Sequence, residues 1–214
     1  MKRTTLALGF AALAAFSATG AAQTAGTQLA LRQDSKLSLD GTSTLHPFTC
    51  ATSTIDALVS VDSAYRTQPM TAIAHPIIKV DVTIPVKTLK CGHDKMDDNM
   101  YGTLKANDFP EIHYVLNSYQ LVADQTTADS FVAKTTGTLT VSGKSQPVEM
   151  LVTGKRSPDG VAHATGTVEI LMTDFGIKPP SFFLGTLKVG NKIAIKFDLS
   201  ADRATAVSAG MAMP

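Results

Sequence analysis

Apolar and polar residues alternate one for one along much of this chain. Ile193, Ile195, Phe197 and Leu199 alternate with Lys192, Lys196 and Asp198, and Val80, Val82, Ile84 and Val86 with Lys79, Asp81, Thr83 and Lys87. Period two puts each apolar set on one face of a half-buried strand. Fainter runs of the same kind cover 36–39, 48–61, 112–122, 131–141, 147–153 and 163–173. Turn chemistry falls between them at Ser142-Gly143-Lys144 and Ser157-Pro158-Asp159-Gly160, which punctuates strands. The pattern predicts about eight strands without intervening helices, hence an antiparallel sandwich or barrel.

Two internal segments break the alternation. From Asp94 to Asn107, Met96, Met100 and Leu104 recur every fourth residue, which predicts one amphipathic helix. Asp94 is its expected N-cap, with Asp97 and Asp98 near the positive end of the dipole. It should stop before Phe109-Pro110, because proline disfavours helix in the residue ahead of it. The second break, Asp174 to Gly185, holds two prolines and two glycines yet also Phe175, Ile177, Phe182, Phe183 and Leu184. A loop this apolar is expected to pack over something, such as the mouth of a cavity.

The first residues read as an address. Lys2 and Arg3 precede an apolar run from Leu6 to Phe16, followed by small residues to Ala22. This is the pattern of a secretory leader, and the run is too short for a membrane span of about 20 residues. Residues 1–22 are therefore expected to be a signal peptide, and the mature protein to be periplasmic. The globular domain should run from 23 to 201, with a small-residue tail at 202–214 expected to be disordered.

Composition sharpens this picture in three ways. Charged residues make up 17% of the 214, against about 25% in a typical domain. The net charge is +1, and removing Lys2 and Arg3 leaves 17 basic against 18 acidic groups. So even a balance gives no overall basic footprint for nucleic acid or an anionic membrane. Cys50 and Cys91 are the only cysteines, and in an exported chain an even count favours a bridge. That bridge would close roughly 40 residues and contribute about 4 kcal/mol in the chain-entropy model; the alternative is two separate buried thiols.

Motifs of chemistry are few. Gly137 to Ser145, GTLTVSGKS, has five residues between its glycines where a phosphate loop has four. The motif must open a helix, whereas Val148 to Thr153 continues as a strand, so the segment reads as a hairpin turn instead. Cys91, His93, Met96 and Met100 offer sulfur and imidazole that would suit copper, although Met at helical spacing ordinarily packs a core. His46, His113 and Asp174 are the candidates for acid–base work on a lipid, without a local signature to join them.

Five segments in order carry a family resemblance: Ser43 to Phe48 (STLHPF), Met96 to Ala106 (MDDNMYGTLKA), Phe109 to Ile112 (FPEI), Gly137 to Val148, and Asp174 to Ile177 with Leu184-Gly185 and Val189-Gly190. Together they resemble the YceI-like family of exported lipid-binding proteins, over roughly residues 28–201. The resemblance implies an all-β, extended eight-stranded antiparallel barrel similar to the lipocalins, with one short helical insertion, enclosing an isoprenoid chain such as a polyprenyl or quinone-like lipid. It implies no enzyme activity, no cofactor beyond that lipid and no metal. Cys50 and Cys91 depart from the commonest family pattern, so a bridge between an early strand and the helix would mark a subgroup.

The expected ligand-binding wall consists of Phe48, Val82, Ile84, Met96, Met100, Leu104, Ile112, Leu139, Val141, Phe175, Phe182, Phe183, Ile195 and Phe197. The strand residues among them would be inward-facing in any barrel, whereas Phe175, Phe182, Phe183, Met96 and Met100 lie off the regular strands. Those five point most directly to a ligand. A metal-handling protein using His93, Met96 and Met100 is the rival reading, and a lipid-modifying enzyme the next. A homodimer paired through an exposed barrel strand is compatible with the carrier reading.

Overall fold

The computed structural model describes residues 26–203. The leader expected at 1–22 and the tail beyond Arg203 lie outside the described residues. Eleven strands follow one another as β1 (Gly26–Leu31), β2 (Lys36–Ser43), β3 (Phe48–Thr52), β4 (Asp56–Asp62), β5 (Ile77–Pro85), β6 (Glu111–Leu121), β7 (Ser130–Val141), β8 (Lys144–Arg156), β9 (Ala162–Leu171), β10 (Ser181–Phe182) and β11 (Leu187–Arg203). A single α-helix among the described residues, α1 (Asp94–Thr103), lies between β5 and β6.

These strands make a closed barrel of eight staves. Every pairing is antiparallel. β4 to β9 neighbour one another in sequence order, and β11 lies beside β9. The other edge of β11 is covered by two strands in line: β2 along Val189 to Asp198, and β1 at Ala201 to Arg203. β1 then pairs with β4 and β2 with β3, which closes the ring. β1 with β2 therefore forms one stave, β3 with β4 another, and β10 is only a two-residue hairpin arm on β11.

Both interruptions are stitched by side chains. Where the chain leaves β1, Ser35 is buried and its hydroxyl donates to the Ser200 carbonyl at 3.0 Å while accepting the Ser200 N–H at 3.1 Å. Side-chain bonds thus continue the β11 ladder across the gap. The run expected as one strand at 48–61 likewise splits after Thr52, whose hydroxyl accepts the Thr54 N–H at 2.9 Å. The β1–β11 ladder reaches the last described residues, with Asp202 and Arg203 opposite Ala30 and Leu29.

The barrel wall keeps one face apolar by slipping phase twice. In β6 the inward residues are Ile112, Tyr114 and Leu116, then Tyr119 and Leu121. The change of parity is absorbed at Asn117, where the register to β7 shifts between Leu116 and Ser118. A second shift sits opposite Ser60 and Val61, so that Ile77 faces inward and Ile78 is exposed. One extra residue flips all that follow it to the other face, so each bulge preserves an apolar interior that strict alternation would have broken.

Close approach of rings to glycine sets the wall thickness. Phe131 on β7 lies directly opposite Gly154 on β8, and a Cβ at Gly154 would stand 2.3 Å from the ring. Phe197 covers Gly166 in the same way, with 2.4 Å to such a Cβ. Glycine at these strand positions is what lets the rings lie flat on the neighbouring backbone. Two core clusters result, one around Ile84, Leu89, Ile112, Leu139, Val141 and Phe175, the other around Val61, Tyr65, Met70, Phe131 and Ala133.

Candidate functional site

The space inside the barrel is a cavity of about 950 Å³, at the upper end of the roughly 300–1,000 Å³ typical of small-molecule sites. Its wall is overwhelmingly apolar and draws on both core clusters, from Val141 and Ile177 to Leu29, Phe131 and Ala201. It therefore runs along the barrel axis. Exposed residues reach it at one place, where Leu45 and His46 of the β2–β3 loop stand near His93 and Lys95 of α1. That is its opening.

The far end is shut by Arg156. Its guanidinium donates to the carbonyls of Tyr65, Gln68 (3.0 Å) and Ala128 (3.3 Å) and to the Asp129 carboxylate (3.0 Å). It also lies 5.8 Å from the centroid of the Tyr65 ring. One cation thus gathers the loop after β4 and the β6–β7 connection over the barrel end. Burial pushes the Tyr65 phenol above its ordinary value, opposed by the nearby Arg156 charge.

α1 forms one lip of the opening and is tied down at several points. Cys50 on β3 and Cys91 just before α1 are bridged, and Ala51 and Lys90 exchange both backbone hydrogen bonds at 2.9 Å. The buried carboxylate of Asp97 accepts the Cys91 N–H at 2.7 Å and pairs with Lys90 Nζ at 3.2 Å. The Cys91 N–H, and after it the Lys90 ammonium, hold the Asp97 carboxyl below its usual range. Tyr101 donates to the Lys87 and Leu89 carbonyls at 2.9 and 2.7 Å. With those contacts on one side, Met96, Asn99, Met100, Thr103 and Leu104 turn toward the cavity, the three- and four-residue spacing of a single helical face.

Both ends of α1 differ from the sequence expectation. His93 occupies the N-cap position without a side-chain bond, and Asp94 is the first helical residue. The helix stops at Thr103 rather than near Asn107, because Lys105 takes the left-handed conformation (φ 52°). The Ala106 N–H then closes on the Tyr101 carbonyl at 2.9 Å, and Lys105 on Gly102 at 3.2 Å. This is a Schellman closure with lysine where glycine is usual.

The structure places Phe48, Val82, Ile84, Met96, Met100, Leu104, Ile112, Leu139, Val141, Phe175, Phe182, Ile195 and Phe197 on the cavity wall. The side chain of Phe183 lies outside the described residues. Sequence reasoning missed Tyr114, the β8 set Val148, Met150 and Val152, and Val168 and Ile170 of β9, all of which line the same space. Their alternation is visible in the sequence but diluted by Thr and Gly.

Cys91 is oxidised, so its 3.8 Å approach to Met100 Sδ is a sulfur–sulfur contact and not a thiol hydrogen bond. Among the described residues no three His, Cys, Asp or Glu side chains converge on a metal position. His46 Nδ1 meets the Pro47 carbonyl at 2.8 Å, while His113 sits between Thr83 (3.1 Å) and Glu111 (3.1 Å). No hydrogen bond among the described residues joins either histidine to Asp174.

A family model described as the YceI-like domain matches residues 19–201. The chain belongs to the YceI-like family. Solved structures share its fold at low identity. BcnA of Burkholderia cenocepacia superposes with a TM-score of 0.65 at 22% identity, covering 81% of this chain and 100% of that one. A polyisoprenoid binding domain from Saccharophagus degradans, implicated in plant cell wall breakdown, gives 0.60 at 12% identity over 82% and 97%. The YceI protein of Campylobacter jejuni gives 0.51 at 16% over 95% and 99%. No curated protein sequence matches the chain. The YceI-like fold here is the closed, mostly β barrel with one helix that the sequence predicts.

Proposed function

We propose that this protein is a non-catalytic, exported carrier that holds an isoprenoid-type lipid, polyprenyl or quinone-like, in its barrel. The observation that carries the reading is the apolar cavity of about 950 Å³ running along the barrel and opening at one end. Burying a CH₂ stabilises by about 0.8 kcal/mol, so each isoprene unit contributes about 3–4 kcal/mol. A few units then offset the association cost of roughly 4–15 kcal/mol without any charged contact. Family membership and the polyisoprenoid-binding domain among the structural neighbours support the same ligand class. Export, and a periplasmic site of action, rest on the leader pattern of residues 1–22 and agree with the bridged cysteines. No helix among the described residues is long and apolar enough to cross a membrane.

Native mass spectrometry of freshly purified protein, followed by organic extraction, tests the reading. The expected result is a co-purifying neutral lipid, or uptake of an added polyprenol at one per chain. Absence of both would refute it.

A further inference from the structure

The opening carries a feature that containment does not explain. Leu45 is 70% exposed and Leu184 is wholly exposed, the two most exposed large apolar side chains among the described residues. They lie on separate loops that are bonded together: the Thr44 N–H donates to the Lys188 carbonyl at 3.0 Å, the Thr44 hydroxyl to the Thr186 carbonyl at 3.0 Å, and the Lys188 N–H to Thr44 Oγ1 at 3.2 Å. Neither leucine hangs on a loose tip. The Ser43 hydroxyl accepts the N–H groups of Leu45 and His46 at 3.3 and 3.2 Å, a turn that presents Leu45 outward. Leu184 is held in the left-handed region (φ 54°), which leucine adopts only at a cost in strain. A glycine or asparagine there would relieve both the strain and the exposure.

Charge on these loops is mainly basic. Residues 41–55 contain no acidic residue, and residues 175–193 contain Lys178, Lys188 and Lys192 and no acid. Lys192 pairs with Glu169 at 2.8 Å, while Lys178 and Lys188 are exposed and make no ion pair among the described residues. The near-zero net charge of the whole chain therefore conceals a local cationic, apolar rim. Acids also stand at this end: the exposed Asp174 begins the second loop, and Asp94 and Asp98 lie on α1, the opposite lip.

We infer that this rim is a docking surface for an anionic lipid bilayer, with Leu45 and Leu184 inserting at the headgroup boundary and Lys178 and Lys188 facing the lipid phosphates. The surface is continuous with the cavity, since Leu45 and Phe182 line its opening. Docking would present the mouth directly to the membrane interior. The assignment goes beyond lipid carriage and rests on that reading only for what passes through the mouth.

Vesicle flotation of the purified protein tests it, using phosphatidylethanolamine with phosphatidylglycerol against pure phosphatidylcholine. Withdrawing one leucine from the interface is expected to weaken partitioning roughly tenfold, and removing one lysine about fivefold on the anionic vesicles only. Leu45→Ser and Leu184→Asn test the first effect and Lys178→Gln and Lys188→Gln the second. Leu184→Asn should also leave thermal stability unchanged or raised, which a merely structural leucine would not. Leu151→Ser on β8, 56% exposed, is the control and should bind as wild type. Failure of the wild type to float with anionic vesicles overturns the assignment, as does equal binding to both vesicle types, or rim variants that bind as wild type. Uptake of polyprenol in vesicle-free solution, read by native mass spectrometry, separates this from the carrier reading. Leu184→Asn, Lys178→Gln and Lys188→Gln, at residues off the cavity wall, are expected to load normally there, and a wild type that floats but never loads would sink the carrier reading alone.

Discussion

Substituting Gly154 by alanine asks whether the ring-on-glycine contact sets the shape of the cavity. An added Cβ would stand 2.3, 2.4 and 2.9 Å from three carbons of the Phe131 ring. Both residues are buried, so the ring cannot swing into solvent; it must tilt into the cavity or push the β7–β8 backbone apart. Overpacking of this kind costs about 1–3 kcal/mol, which for a chain of this size lowers Tm by about 2–12 °C. The functional consequence is a shorter cavity, because Phe131 lines its far end. Gly154→Ala should retain short isoprenoids and lose affinity for long ones. Calorimetry of Gly154→Ala, Phe131→Ala and the double variant isolates the clash. The alanine at 154 should be destabilising beside phenylalanine and near neutral beside alanine. A penalty that is the same in both backgrounds would refute the idea that ring contact, rather than strand propensity, requires glycine.

Replacing Arg156 by Met leaves the carbonyls gathered at the far end without their donor, and should destabilise by about 2–4 kcal/mol, read by urea denaturation; the exposed Asp129 partner contributes little of this. The Asp97 carboxyl is held low in the folded protein, so its contribution is complete above the unfolded value near ~3.9 and is lost as pH falls through the lower folded value. Asp97→Asn should accordingly cost a constant amount of stability at neutral pH, and the gap from wild type should close in acid melts below about pH 4. Converting Cys50 and Cys91 together to serine should lower stability by about 4 kcal/mol. Hydrogen exchange should then speed up most in α1 and the segment leading into it.

Legibility in the sequence followed the strength of each side-chain pattern. β5 and β11 carry long branched residues facing charges, and α1 has a Met-bearing stripe, so all three could be read directly. β1 could not, since Gly26–Leu31 offers only Leu29 and Leu31 as large apolar residues and is held by its pairing with β4 and β11. The phase slips at Asn117 and Ile78 depend on the partner strand, which a single segment does not encode. Helix length failed for a related reason: the closure at Lys105 uses a residue with no intrinsic preference for the left-handed region. Within the cavity, bulky positions were legible and the closing role of Arg156 was not, because its partners are backbone carbonyls on loops distant in sequence.

The fastening of α1 also bears on how a long ligand enters and leaves. A lip secured by a disulfide, a paired backbone segment, a buried carboxylate and a tyrosine hydroxyl does not swing aside as a door would. A polyprenyl chain must then thread end-first, reptating along the barrel axis one isoprene at a time. Exchange would be slow and its rate would fall with each added unit, even once equilibrium affinity had levelled off at the length that fills the barrel. Residence time, rather than affinity, would then distinguish one chain length from another.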